Sequence, residues 1–271
     1  MQQVEEPRKR SDIRKKLGKE YYCLKRKWEW MANKETYTHE IDLAPLSHEM
    51  ISHQSFLLRK LKNVDMYLQQ NKIVNLRLAI ANLNGIIIEP GQTFSFWKLV
   101  GRPTKSKGYL DGMTLSNGNV EKGIGGGLCQ LGNLIYWMAL HTPLTVTQRW
   151  RHSYDVFPDV NRKLPFGSGA TLSYNYIDLQ IKNETRNTFQ INLWLDKEYL
   201  NGNISATFPV QQSYEVFESN HQFKQQWWGG FTRHNQIWRR IKNQLTTEIK
   251  EELVTENHAI MMYNPLIESA H

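Results

Sequence analysis

The sequence predicts an α+β fold, mostly antiparallel sheet packed with a few helices and preceded by a basic N-terminal helix. Two stretches with helical or continuous apolar character, near residues 71–84 and 131–140, fall in the first half of the chain. The second half carries short runs such as residues 188–195 (TFQINLWL) in which apolar and polar side chains alternate with period two. Helices followed by many strands, rather than strict alternation, indicate antiparallel sheet instead of repeated βαβ units.

A chain of 271 residues, 40% apolar and 22% charged, is long enough to bury one large core or two modest ones, and its nine tryptophans argue for substantial buried aromatic area. No apolar run reaches the ~18 residues of a membrane-spanning helix. The first ten residues are charged but lack a following apolar segment, so the sequence reads as one without a secretory signal, and a cytoplasmic setting is expected. Two cysteines, Cys23 and Cys129, make no disulfide framework and are expected to be reduced.

Residues 8–27 hold ten Lys or Arg against Asp12 and Glu20. Read as a helix capped by Ser11, this segment aligns Leu17, Tyr21 and Leu24, with Tyr22 and Trp28 near the edge. Such a helix lies on an anionic membrane or phosphate-rich partner at the inner surface, or else docks its few apolar residues on the main domain. No basic-aromatic module points to nucleic acid. Residues 42–54, with Pro45, read as a connector, and the chain before Asp42 as dispensable for folding. The resulting division is a basic helical segment (1–44), a core domain (45–210) and a C-terminal β-hairpin extension (211–271).

From Asn71 the apolar spacing predicts a helix that stops before Gly85. Residues 86–88 (III) follow as a buried strand, and residues 89–92 (EPGQ) as a type II turn with Pro and Gly in their preferred places. Residues 93–97 read as a second strand, and residues 108–120 as polar, glycine-containing loop. The apolar run after Cys129 is a buried helix ended by His141-Thr-Pro143, since proline disfavours helix in the residue before it. Strands are then expected at 144–157, 170–176, 179–182, 188–195, 204–208 and 214–217. Residues 235–241 and 246–255 flank a hairpin turn.

Chemistry concentrates at Gly125-Gly126-Gly127-Leu128-Cys129-Gln130. A cysteine at the first turn of a helix meets free N–H groups and the positive end of the dipole, which favour a thiolate. The glycines permit close approach of a substrate or anion to the backbone, or simply tight packing. His152 follows on an expected strand that can return to the helix start, the layout of cysteine nucleophile and histidine base. His141 lies about 18 Å along the same helix, too far to serve. Gln130 could place an amide near an oxyanion. Third-partner candidates are Asp155, Asp159, Asp178 and the Glu256-Asn257-His258 cluster. A lone cysteine without paired metal-ligand spacing argues against zinc, and no cofactor is implied.

Gly91-Gln-Thr-Phe-Ser-Phe96, Gly101, Gly108-Tyr109, the segment Gly125–Gln130, Arg149, His152, Ala170-Thr171 and Asp178-Leu-Gln-Ile-Lys-Asn183 resemble the signature of the VanW family. The resemblance runs from about Pro45 to Tyr263 and takes in residues 256–263. It implies a setting of glycopeptide (vancomycin) resistance and cell-wall precursor metabolism rather than a defined reaction. It adds Arg149, Asp178, Glu256, Asn257 and His258 to the glycines as candidate binding residues. Many members have an acid where this chain has Gly169, so any orienting role of that acid passes to another residue here or is lost with its function.

Two functions follow. One is a hydrolase or transferase acting on amide or ester bonds of a peptidoglycan precursor or peptide, with Cys129 as nucleophile and His152 as base. The other is a non-catalytic binding protein whose glycine loop and helix N-terminus hold a carboxylate or phosphate of a wall precursor.

Overall fold

A computed structural model describes residues 11–32, 36–58, 65–116, 118–158, 164–174 and 177–265, and the fold is α+β. Helix α1 (Asp12–Ala32) opens with Arg14 N donating to Ser11 Oγ at 3.4 Å. Strands β1 (His48–Phe56), β10 (Tyr199–Ala206), β9 (Phe189–Leu195) and β2 (Ile86–Ile88) form one antiparallel sheet in that order. A second sheet joins β3 (Thr93–Ser95), β8 (Gln180–Lys182) and β6 (Thr145–Gln148). Helix α4 (Cys129–Leu140) packs on β1, β10 and β6 and so touches both sheets. It is apolar nearly all round because almost every side of it is buried, with Leu131, Ile135, Met138 and Ala139 wholly enclosed. Helix α2 (Met66–Ile80) packs on β9 and on β4 (Asp111–Ser116).

The expected helices, the 86–88 strand and its turn are present. In the turn Gln92 N donates to Glu89 O at 3.0 Å, and Gly91 takes φ 82°, which a side chain would resist. Several local expectations change. Helix α2 begins at Met66 rather than Asn71. The connector at 42–54 contains β1, whose alternating His, Ser and Gln residues pair with β10. Residues 108–120 contain the first strand of a hairpin, β4 with β5 (Asn119–Ile124), held by backbone pairing despite few branched side chains. Strand β3 ends at Ser95, and Phe96–Val100 wind into α3. There Ser95 Oγ accepts from Lys98 N (3.4 Å) and Asp178 Oδ1 from Trp97 N (3.0 Å), satisfying donors at the helix start.

The expected 144–157 strand is broken into β6 and β7 (Tyr154–Asp155), leaving His152 in the intervening loop. In place of a strand at 170–176 stands one bridge, Ser173 to Ile177; residues 175–176 and Asp159 lie outside the described residues. The C-terminal hairpin forms as expected within a longer meander of β11 (Gln212–Gln225), β12 (Phe231–Asn243) and β13 (Ile249–Met261). Its last strand runs parallel to β7. A buried ion pair, Arg233 Nη1 to Asp155 Oδ2 at 3.3 Å, and the Tyr263 hydroxyl donating to the same oxygen at 2.8 Å fasten β7 to this meander. The stretch just before Asp42 is also stitched to the core. Thr38 N donates to Thr93 O (3.1 Å) and Ile87 N to Glu40 O (2.9 Å), with Tyr37 buried.

Candidate functional site

Strand β5 runs directly into the glycine loop, which lies flat on the β4 backbone. A Cβ on Gly126 would stand 2.2 Å from the carbonyl carbon of Gly112, and one on Gly127 2.2 Å from Lys72 Cγ. Asn75, fully buried on α2, staples the loop: its Nδ2 donates to Gly126 O (2.9 Å) and Leu110 O (3.0 Å), and its Oδ1 accepts from Leu110 N (2.8 Å). The glycines therefore permit backbone-to-backbone packing. Asn75 escaped sequence reasoning; an amide among apolar helix positions was the available signal.

Cys129 starts α4, and its thiol donates to Leu172 O (3.6 Å) while accepting from Leu172 N (3.4 Å). Among the described residues no hydrogen bond joins it to His152. Burial pushes the Cys129 thiol pKa up, against weaker help from those backbone N–H groups. Desolvation thus opposes the expected thiolate stabilisation, since a helix terminus lowers a pKa only where desolvation does not exceed it. One turn on, Asn133 Oδ1 accepts from Ala170 N at 2.7 Å. A Cβ on Gly169 would meet that Oδ1 at 2.6 Å, so the acid that the family resemblance leads one to expect at this place has no room beside Asn133 in its present rotamer.

The 167–172 segment is gripped from its other side by Arg149. Its Nε donates to Gly169 O (2.8 Å), one Nη to Gly167 O, and the other to Thr255 Oγ1 on β13 (3.3 Å), with the guanidinium 4.9 Å from the Tyr136 ring centre. Arg151 donates to His152 O (3.2 Å) and to His258 O. Burial lowers the pKa of Arg149. It pushes Arg151 down to about 10, with the Arg149 charge adding to the effect. Among the described residues neither guanidinium has a carboxylate partner; their acceptors are carbonyls and one hydroxyl. Two buried polar oxygens nearby in sequence and strand, Thr171 Oγ1 and Asn257 Oδ1, find no hydrogen-bond partner among the described residues.

Facing positions of β12 and β13 bring His234 and His258 together, Nδ1 to Nδ1 at 2.7 Å. Burial lowers both pKa values, with the paired imidazole next for His234 and the Arg151 charge next for His258. Burial likewise lowers that of His152. Asn257 donates to Asn235 Oδ1 (2.9 Å) and packs so tightly on Gly167 that a Cβ there would be 2.3 Å from its Cγ.

The structure therefore links Cys129, Arg149, Asn257 and His258 through the 167–172 segment, Arg151 and β13. Three other candidates are engaged elsewhere. Gln130 reaches β1, donating to Ser55 Oγ (2.9 Å) and Phe56 O (2.7 Å). Asp178 accepts from Ser95 Oγ (2.6 Å), Trp97 N, Leu179 N and Gln180, its pKa raised by burial. Glu256 accepts from Gln236 (2.7 Å) and lies 4.0 Å from His258 Nε2. Among the described residues no group of three His, Cys, Asp or Glu is placed to hold a metal ion. Arg151 was missed because its significance depends on β13, more than a hundred residues away.

A family model described as "VanW like protein" matches residues 71–205, which include Cys129, Arg149, Arg151 and Thr171 but not β13. The vancomycin B-type resistance protein VanW of Enterococcus faecalis (strain ATCC 700802 / V583) is 43% identical over 159 residues, 59% of this chain and 58% of that protein. The uncharacterized protein YoaR of Bacillus subtilis (strain 168) is 31% identical over 110 residues, 41% of this chain and 35% of its own. The chain thus spans less than two thirds of the length of these curated relatives. No solved structure matches.

Proposed function

Because the chain belongs to the VanW family, we propose that it serves glycopeptide resistance as a binding protein for an anionic group of a cell-wall precursor, held by Arg149 and Arg151. One observation carries this reading: two largely buried guanidiniums bond only carbonyl and hydroxyl oxygens, and the Arg149 charge adds to the burial that lowers the proton affinity of Arg151. Burying an unneutralised charge is unfavourable, and a carboxylate or phosphate offsets that cost while matching the planar guanidinium fork. Thr171 Oγ1 and Asn257 Oδ1 supply hydroxyl and amide contacts for the neutral part of such a ligand. Cys129 and Asn133 act as anchors that fix the 167–172 segment against α4, and Arg149 holds it from the opposite side.

The competing reading, acyl transfer through Cys129, requires a half-buried thiol to give up its bonds to Leu172 and ionise without a histidine contact. Calorimetric titration separates the two. The probes are UDP, and a short peptide with a free C-terminal carboxylate beside its amide. Saturable binding of UDP, or of the acid but not the amide, weakened at least tenfold in Arg151→Gln and retained in Cys129→Ala, is the expected result. Absence of binding to every probe, or binding indifferent to Arg151→Gln, overturns the proposal. Release of a cleaved product that stops in Cys129→Ala establishes the catalytic reading instead.

A further inference from the structure

Helix α1 presents two opposite faces. One docks on the body of the protein: Cys23 is 5% and Trp30 8% exposed, Arg102 pairs with Glu20 at 3.0 Å, and Lys98 Nζ donates to Trp30 O at 3.3 Å. The other face carries Ile13, Leu17, Tyr21, Leu24, Trp28 and Met31, every one of them more than 60% exposed. Successive spacings of three and four residues confine these side chains to an arc of about 80° at 100° per residue. Packing among the described residues therefore does not account for this stripe, which is far more regular than singly scattered surface apolar residues.

Its flanks decide the occupant. Arg14 and Lys25 border the stripe on one side, and on the other stand Lys27 and Glu20, all exposed, with the Glu20 charge neutralised by Arg102. The chain as a whole carries a net charge of +8. A tryptophan and a tyrosine stand within the stripe itself, the residue types that settle at the level of lipid headgroups. An apolar strip bounded by lysines is the pattern of a helix lying in the plane of a bilayer, its stripe among the upper acyl chains and its basic side chains at anionic headgroups. No helix among the described residues is long and apolar enough to cross a membrane. We propose that the outward face of α1 docks the protein on an anionic lipid surface, with the Cys23–Trp30 face remaining on the protein body.

The test is co-sedimentation of the full chain with vesicles of phosphatidylcholine containing one third phosphatidylglycerol, beside vesicles of phosphatidylcholine alone. The expected result is pelleting with the anionic vesicles, reduced by high salt, and little with the neutral ones. Leu24→Ser with Trp28→Ser should lower partitioning at least tenfold. Lys25→Gln with Lys27→Gln should lower it about 25-fold, about fivefold per charge. Because all four side chains are exposed, the thermal transition should not move; if the serine variant melts early, the lysine variant carries the test. Wild-type protein remaining in the supernatant, or both variants pelleting like wild type, overturns the proposal. So does a concentration-dependent dimer in sedimentation velocity that Leu24→Ser with Trp28→Ser abolishes, which assigns the stripe to a second copy of the chain.

Discussion

Replacing Gly126 by alanine separates a packing role for the glycine loop from a ligand-approach role. The new Cβ would lie 2.2 Å from the Gly112 carbonyl carbon and 2.3 Å from its oxygen. Comfortable carbon contacts begin near 3.5 Å, so one backbone must retreat by about 1 Å. Overpacking of this kind costs roughly 1–3 kcal/mol, and here both partners are main chain and cannot rotate aside. The retreat also strains Asn75 Nδ2 to Gly126 O (2.9 Å) and Gly125 N to Leu110 O (3.0 Å). Each such bond is worth about 1 kcal/mol, giving a total near 3–5 kcal/mol. Two other glycines calibrate the series. Gly91 meets nothing within 4 Å but has φ 82°, so Gly91→Ala should cost about 1–2 kcal/mol through backbone strain alone. Gly18, in the open on α1, should stabilise the helix by roughly 0.5–1 kcal/mol when changed to alanine, or leave the melt unmoved. Urea unfolding followed by tryptophan fluorescence reads all three. If Gly126→Ala unfolds at the same urea concentration as Gly18→Ala and loses only ligand binding, the packing argument is wrong.

Three further outcomes are expected. Cys129 should react with iodoacetamide at neutral pH more slowly than a free cysteine in a peptide, and His152→Ala should not change the rate; fast, His152-dependent alkylation contradicts the hydrogen bonding to Leu172. Deleting residues 1–40 removes Tyr37, Thr38 and the Glu40 carbonyl from the core and should lower the melting temperature far more than deleting residues 1–32; equal melting temperatures would make 36–40 an appendage. Stability should fall on acidification, because burial holds His53, His141, His152, His234 and His258 below their usual pKa. The unfolded chain then binds more protons, so stability is full above the unfolded value near 6.5 and declines as pH drops through the lowered folded values. His258→Asn should flatten that decline in denaturant titrations between pH 7 and 5.

What the sequence revealed follows from how local each signal is. Helix α4 and the β12–β13 hairpin were legible because an unbroken apolar run and an alternating pair of segments each specify their element nearly alone. Strand β1 was not, since its His, Ser and Gln residues show no apolar face until β10 supplies the pairing. The end of β3 at Ser95 depends on Asp178, brought there by the fold. At the site, the motif residues were recognisable but the surroundings of Cys129 were not. Helix position argues for a thiolate only if the thiol is solvated, and the enclosing segment arrives forty residues later with Leu172. Gly169 became intelligible only beside Asn133, and Arg151 only beside His258.

Nitrogen-15 spectra of the arginine side chains, recorded while UDP or the free-carboxylate peptide is titrated in, test the anion site most directly. The Nε–Hε signals of Arg149 and Arg151 should move along one saturable curve, while that of Arg102, paired with Glu20 at the surface, stays in place. A ligand that binds without moving either Arg149 or Arg151, or probes that leave every arginine signal unchanged at saturating concentration, would contradict the assignment.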